Sequence, residues 1–260
     1  MKVLERHVTY GPFLERLRSA STRVLLLDYD GTLAPFVVDR TLALPYPGVP
    51  PLIVRIMAQG TRVVLISGRP VRELLLLSRI SPQPEIWGSH GLERLMADGH
   101  YEVSSVPVHQ DYLLAAETLL RDAGLESQTE IKPGGVAVHW RGLDPVKAEK
   151  LAKEVARLWK PLLERAPLRV LEFDGGLEIR VAGPGKGDAV RVILNEVGPG
   201  AAVAYLGDDQ TDEDAFRALK GNGLTALVRP QSRPTTADIW LQPPHQLLQF
   251  LEEWLRALGG

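Results

Sequence analysis

The sequence predicts an α/β protein: a parallel sheet covered by helices on both faces, interrupted by an inserted unit of α+β type. Three observations lead there. Short, almost wholly apolar runs alternate with helical stretches in the first and last thirds of the chain, the pattern of strands buried on both faces of a parallel sheet. The middle of the chain instead reads helix, hairpin, helix, hairpin, which is antiparallel in character. The length of 260 residues suits one or two domains, and a composition 45% hydrophobic and 24% charged is that of a globular chain, not a disordered or fibrous one.

Residues 23–27 form an apolar run that reads as a buried strand ending at Asp28. Pro35, Pro45, Pro47, Pro50 and Pro51 then mark an irregular loop, with a helix over 48–60 once the prolines are passed. A second strand, 62–66, is stopped by Ser67-Gly68-Arg69-Pro70, and a helix over 71–77 and a short strand over 85–88 follow. The inserted unit has a helix over 110–122, strands over 127–132 and 135–141 around Pro133-Gly134-Gly135, and a helix over 144–164. It closes with a hairpin of 168–173 and 177–181 around Asp174-Gly175-Gly176. The parallel pattern then resumes with a strand over 202–206, a helix over 212–220, a strand over 224–228 and an amphipathic helix over 245–258. In that last helix Leu247, Leu248, Phe250, Leu251 and Leu255 make a core-facing stripe. The predicted domains are 1–107 with 183–260, and 108–182 between them.

Composition removes several chemistries. With no cysteine there is no disulfide, thiolate zinc site or cysteine nucleophile. A net charge of -2 gives no basic field for nucleic acid. The longest apolar runs, 24–27 and 74–77, fall far short of the roughly 18 residues of a membrane span, and the first residues lack the apolar core of an export signal. A cytoplasmic protein without a membrane partner is expected, with a monomer as the working assumption.

Two acidic clusters stand at predicted strand ends, where open parallel sheets bind ligands. In Asp28-Tyr29-Asp30-Gly31-Thr32-Leu33, alternation puts Asp28 and Asp30 on one side. Such close carboxylates call for something positive between them, and magnesium suits one or two carboxylates plus a substrate phosphate. The plainer alternative is a turn whose aspartates accept backbone N–H groups. The second cluster is Gly207-Asp208-Asp209-Gln210-Thr211-Asp212-Glu213-Asp214. Asp212, Glu213 and Asp214 could merely complement a helix dipole, whereas Asp208 precedes the helix and fits metal ligation better. Ser67-Gly68-Arg69 could hold a phosphate at a helix N-terminus or simply cap the helix before Pro70. Gly183-Pro184-Gly185-Lys186-Gly187-Asp188 reads as a flexible hinge, as a lysine returned to a phosphate site, or as both. Three carboxylates facing a phosphomonoester repel it, by about 4 kcal/mol for each like pair at ~4 Å, and one divalent cation and one lysine offset that. Phosphoryl transfer relies on positioning and electrostatics, so this inventory suffices for it.

Asp28-x-Asp30-Gly31-Thr32, Ser67, Lys186 and Gly207-Asp208-x-x-x-Asp212 resemble the four ordered motifs of the haloacid dehalogenase superfamily. That resemblance implies a Rossmann-like core with a C2-type cap as the insert. Within the superfamily, residues 27–35, Gly88-Ser89-His90-Gly91, Val138-His139-Trp140-Arg141, Leu177-Glu178-Ile179-Arg180 and residues 207–216 resemble trehalose-6-phosphate phosphatases. Trp140, where that family usually has tyrosine or phenylalanine, and Val181, where it usually has proline, depart from the pattern, both in the insert.

The resemblance implies hydrolysis of a sugar phosphate, trehalose 6-phosphate, to trehalose and phosphate. Asp28 would be the nucleophile forming an aspartyl-phosphate, and Asp30 would protonate the leaving oxygen and then activate water. Mg2+ would be held by Asp28, the Asp30 carbonyl and Asp208, with Asp212 supporting the metal shell. Ser67 and Lys186 would bind phosphoryl oxygens, and Arg69, Ser89, His90 and Gly91 would line the substrate site. In the insert, strand alternation puts Glu130 with Lys132, His139 with Arg141, and Glu178 with Arg180 on a polar face, while Ile131, Val138, Trp140, Leu177 and Ile179 point the other way. Such a face could simply meet water or could roof a sugar, whose hydroxyls need many polar partners. His7, His100, His109 and His245 are left without a role. The alternatives are a phosphatase for sucrose 6-phosphate or glucosylglycerol phosphate, a phosphotransferase, and a non-catalytic sugar-phosphate sensor. The nucleophile Asp28 argues against the sensor, because binding alone needs none.

Overall fold

The computed structural model describes residues 10–104, 110–173, 175–181 and 183–259. His7, His109 and Asp174 lie outside these, as do residues 107, 108 and 182 at the expected domain limits. The chain folds as two compact units, Met1–Glu102 with Pro184–Gly260, and Val103–Gly183.

The first unit is built on an eight-stranded, largely parallel sheet. Its elements are α1 (Gly11–Ser19), β1 (Arg23–Leu27), α2 (Val49–Ala58), β2 (Arg62–Ile66), α3 (Val71–Leu77), β3 (Glu85–Gly88), β4 (Glu93–Leu95) and β5 (Tyr101–Val103). The second unit contributes α4 (Gln110–Asp122), β6 (Thr129–Lys132), β7 (Gly135–His139), α5 (Pro145–Leu163), β8 (Leu168–Phe173) and β9 (Gly176–Val181). The first unit resumes with α6 (Lys186–Val197), β10 (Ala202–Gly207), α7 (Glu213–Leu219), β11 (Leu224–Val228), β12 (Ile239–Leu241) and α8 (His245–Ala257). The sheet order is β12-β11-β10-β1-β2-β3-β4-β5. Every ladder from β12 to β3 is parallel, and β4 returns antiparallel to β3.

The apolar runs divide between two layers because successive side chains on a strand point to opposite faces. On β1, Leu25 and Leu27 enter a core shared with α2, α3 and α8, where Ile53, Leu74, Phe250 and Trp254 are buried. Val24 and Leu26 enter the opposite core, with Val190 and Ile193 of α6 and Phe216 of α7. Burial on both faces explains why these strands read as continuous apolar runs. It also fixes their register, since a one-residue slip would exchange the two cores.

Five elements carry too little sequence signal to be expected: α1, β4, β5, α6 and β12. The last three strands of that group span only three residues each, too few for a periodicity. The stretch 183–188, read as a hinge, a returned lysine or both, is helical from Lys186, where α6 starts, and the Asp188 carboxylate accepts the Gly185 N–H at 2.8 Å to cap it. The glycines masked that helix start. Gly187 is there for packing, because a Cβ would stand 2.8 Å from the Asp214 carbonyl oxygen of α7.

In the second unit, β6-β7-β9-β8 form an antiparallel sheet. Val136, Val138, Leu177 and Ile179 pack under α4 and α5 against Leu120, Val155 and Trp159. Register aligns Glu130 with Ala137 and Glu178, and Lys132 with Gly135 and Arg180, all on the opposite, polar face. β7 ends at His139, so Arg141 lies beyond the ladder that was expected to place it. Ile131 points to the apolar side but is 54% exposed, because β6 is an edge strand.

Gly187→Ala is expected to destabilise the first unit by roughly 1–3 kcal/mol in urea unfolding, as overpacking does, despite the better helix propensity of alanine. A neutral or stabilising result would mean that α6 and α7 can separate without cost.

Candidate active site

The carboxyl ends of β1 and β10 lie side by side where the sheet order reverses direction from the first strand, the place open α/β sheets present ligands. Asp28 follows β1 and its N–H donates to the Leu206 carbonyl at 2.9 Å, which fixes it beside β10. Lys186, in the first turn of α6, donates its ammonium to Asp28 Oδ1 and to Asp212 Oδ1, both at 2.8 Å. Asp212 is fully buried. Its Oδ1 also accepts the Tyr205 hydroxyl at 2.6 Å, and its Oδ2 accepts the N–H groups of Asp208 and Asp209 at 3.0 and 2.9 Å. Gly207 makes this approach possible, since a Cβ there would lie 2.4 Å from the Asp212 Cγ.

Oxygens of Asp28, Asp208 and Asp212 lie within 4.8 Å of one another, all three residues being buried. Burial, and then the neighbouring Asp212, push the Asp28 carboxyl up to about 7 against the opposing pull of Lys186. Burial, Asp28 and Asp212 hold Asp208 well above the usual carboxylate range. Burial alone would lower the Lys186 ammonium, but Asp212 and Asp28 outweigh it and keep it charged. One lysine thus faces three acids. An all-oxygen donor set with excess negative charge suits a hard divalent cation. The backbone is shaped to match: Gly31 has φ +78, and a Cβ on it would fall 2.2 Å from Asp208 Oδ2.

The other expected residues divide. Asp30 does not join the cluster through its carboxylate, as a shared face with Asp28 had suggested. The turn after β1 directs it to Arg69, whose Nε and Nη2 donate to Asp30 Oδ2 and Oδ1 at 2.6 and 2.7 Å. Arg69 therefore has a protein partner where a substrate had been expected. Ser67 is buried at the end of β2, its Oγ accepting the Arg69 N–H at 3.2 Å. Ser89, which the resemblance puts in the substrate site, donates its hydroxyl to Glu93 Oε2 at 2.5 Å. Ser89, His90 and Gly91 carry φ of 48, 59 and 104, a left-handed run at the end of β3. Such backbone costs about 1–3 kcal/mol per non-glycine residue and persists where surroundings over-determine it. Here the His90 N–H donates to the Ser67 carbonyl at 2.9 Å, and the imidazole covers Gly68, whose Cβ would lie 2.6 Å from Nε2. In the second unit, Lys132 pairs with Glu178 at 2.7 Å and His139 Nε2 meets Glu130 Oε2 at 2.8 Å, while His139 stacks edge-on to Phe173.

Some participants carry no mark in the sequence. Tyr205 sits inside an apolar strand, and only its hydroxyl contact with Asp212 gives it a role. Glu93 gathers Ser89, the Val71 N–H and the Tyr101 hydroxyl. Arg233 donates to the carbonyls of Asp208 and Asp209 and to the Glu213 carboxylate, bracing the second acidic loop from a segment 20 or more residues downstream. Glu213, in the first turn of α7, is thus also tied to Arg233, Thr235 and Thr236, whereas exposed Asp214 pairs with Arg217.

A family model described as trehalose-phosphatase matches residues 26–244, spanning both acidic clusters and the inserted unit. The chain belongs to the trehalose-phosphatase family. Among relatives of this family, it is 30% identical to trehalose-phosphate phosphatase B of Arabidopsis thaliana, over 91% of this chain and 68% of that protein. It is 31% identical to the bifunctional trehalose-6-phosphate synthase/phosphatase of Thermoproteus tenax, covering 90% of this chain but spanning only 32% of that longer protein. The solved C-terminal domain of Candida albicans trehalose-6-phosphate phosphatase has the same fold, with a TM-score of 0.84 at 20% identity over 98% of this chain and 99% of that one. The fold is haloacid dehalogenase-like and recurs in other solved hydrolases of that description. Among the described residues no helix is long and apolar enough to cross a membrane.

The raised Asp208 carboxyl makes a prediction with a definite sign. Its folded-state pKa lies above the unfolded value, so its contribution to stability is complete at low pH and is lost as pH rises through the folded value. With chelator present, Asp208→Asn should melt higher than the wild type at pH 8, by a margin that shrinks as pH falls toward the unfolded carboxyl value of about 3.9. Added Mg2+ should raise the wild-type melting temperature but not that of the variant. Equal melting curves at pH 8, or an unchanged metal response, would contradict the charge crowding described.

Proposed function

We propose that this chain hydrolyses trehalose 6-phosphate to trehalose and inorganic phosphate through an aspartyl-phosphate on Asp28. The observation that carries this reading is the buried Asp28–Lys186–Asp212 group with Asp208 beside it, in a chain of the trehalose-phosphatase family. The Asp28 carboxylate attacks phosphorus, and the bond from phosphorus to the sugar oxygen breaks as Asp30 gives that oxygen its proton. Water then attacks phosphorus, Asp30 takes its proton, and the acyl-phosphate bond breaks to free phosphate and Asp28. Lys186, already against Asp28, and Ser67 receive phosphoryl oxygens.

Asp28, Asp208 and the Asp30 carbonyl are the groups suited to hold Mg2+, which when bound offsets the negative charge of phosphate and carboxylates. Asp212 serves better behind them, because both its oxygens already accept two hydrogen bonds each. In the second unit, read as a cap, Glu130, Lys132, His139 and Glu178 on one sheet face, with Arg141 beyond it, are the groups suited to sugar hydroxyls.

Phosphate release should be measured across trehalose 6-phosphate, sucrose 6-phosphate, glucosylglycerol phosphate and glucose 6-phosphate, with and without Mg2+. The expected result is preference for the first, loss on chelation, and loss of at least ~10⁴-fold in Asp28→Asn. Preference for another sugar phosphate would keep the mechanism and replace the substrate. Tight binding without turnover would make the chain a sensor. Glu178→Gln should raise KM for trehalose 6-phosphate about 10-fold with little change in kcat, the signature of uniform binding; an unchanged KM would remove Glu178 from the sugar site.

A further inference from the structure

Arg69 is a cation kept almost wholly out of water, 5% exposed, and the reaction above gives it no task. Its guanidinium grips both oxygens of Asp30, and its Nη1 lies 3.3 Å from Glu73 Oε2 on α3. The same Glu73 oxygen accepts Arg40 Nη2 at 2.7 Å. Four charges therefore alternate from the 40–42 turn to the strand-end loop: Arg40, Glu73, Arg69, Asp30. The Tyr29 ring lies under the guanidinium, with Cζ 5.8 Å from its centroid. The backbone of Arg69 is equally constrained. Its N–H meets Ser67 Oγ and its carbonyl accepts the Ser89 N–H at 2.8 Å. Gly88 allows the close approach, since a Cβ there would stand 2.9 Å from that carbonyl.

A guanidinium fork paired with both oxygens fixes the plane of a carboxylate as well as its place, which an ammonium cannot do. We propose that Arg69 is a positioning residue: it orients the Asp30 carboxylate for proton transfer, and Glu73 with Arg40 holds Arg69 in that pose. The proposal rests on the reading of Asp30 as acid and base. It predicts a selective defect. A trehalose alkoxide must receive a proton to leave, whereas the phenolate of p-nitrophenyl phosphate leaves without one. Misplacing Asp30 therefore slows formation of the aspartyl-phosphate far more with the first substrate than with the second, whereas its task with water falls on both alike.

The experiment is the rate of leaving-group release, trehalose or p-nitrophenolate, in a single turnover of the full chain at saturating Mg2+, for wild type, Asp30→Asn, Arg69→Gln, Arg69→Lys, Glu73→Gln and the Arg69→Gln/Asp30→Asn pair. Arg69→Gln should slow trehalose release from trehalose 6-phosphate about 100-fold, within the range general acid catalysis supplies, with the half-saturating concentration unchanged and p-nitrophenolate release within about 3-fold of wild type. Arg69→Lys should recover only part of the loss. Glu73→Gln, at the more exposed link, should show the same selectivity at about 5-fold and reads the relay even if the Arg69 variants do not fold. The double variant should be no slower than Asp30→Asn alone, because the two act as one unit. Equal losses in release of both leaving groups, additive losses in the double variant, or a raised half-saturating concentration with a normal release rate would overturn the proposal, the last making Arg69 a substrate ligand. Asp30→Asn supplies the separate control. If it lacks the leaving-group dependence, the acid assignment itself fails and the proposal with it. If it has the dependence and the Arg69 and Glu73 variants do not, the positioning role alone fails.

Discussion

The ammonium of Lys186 lies between Asp28 and Asp212, and most of the site depends on it. Two buried carboxylates a few ångströms apart repel by about 4 kcal/mol at an effective dielectric of 20, and burial adds its own penalty to each. A cation bonded to both converts that repulsion into attraction. It also joins three elements distant in sequence: the end of β1, the start of α6 and the loop after β10. The compensation is partial by construction. Asp208 remains as an acid beyond what one lysine neutralises, and burial, then the neighbouring Asp28 and Asp212, raise its pKa. A site of this kind is unsatisfied without a further positive charge, which is the condition under which cation and phosphate binding reinforce each other.

The sheet delivers these groups with little freedom. Because β1 and β10 are buried on both faces, their register is set by two cores at once. The residues immediately past their ends inherit that precision. Small residues then remove the last steric barriers: Gly31 against Asp208, Gly207 against Asp212, and Gly187 where α6 meets α7. Each lies within one residue of a site side chain on the same segment or that of its neighbour, so close approach and chemistry are supplied together.

Around this rigid pair of strand ends the polar groups hold one another. Arg233 braces the acidic loop through its carbonyls, and Arg69 braces Asp30 through its carboxylate. Glu93 restrains Ser89 at the left-handed run beside Ser67. Charge-assisted bonds of this sort are short and directional, so they orient groups better than apolar contacts do.

The sequence by itself determined the layered α/β architecture, because strands buried on both faces must be apolar throughout and helices between them must be amphipathic. It also marked Asp28, Ser67 and Asp208, because such polar residues interrupt apolar runs at abrupt points, and the family resemblance added Lys186 and Asp212. The helix behind Lys186 was hidden, since the glycines that let α6 pack closely are the residues that weaken a helical pattern. Only the tertiary structure decided which charge faces which. Arg69 and Asp30 are 39 residues apart, Lys186 and Asp28 158 apart, and Tyr205 looks like one more apolar strand position until its hydroxyl reaches Asp212. Pairing across such separations depends on strand order, and neither propensity nor periodicity encodes that order. Arg69 and Ser89, which the resemblance puts in the substrate site, are bonded to Asp30 and Glu93 in the fold, pairings of the same kind.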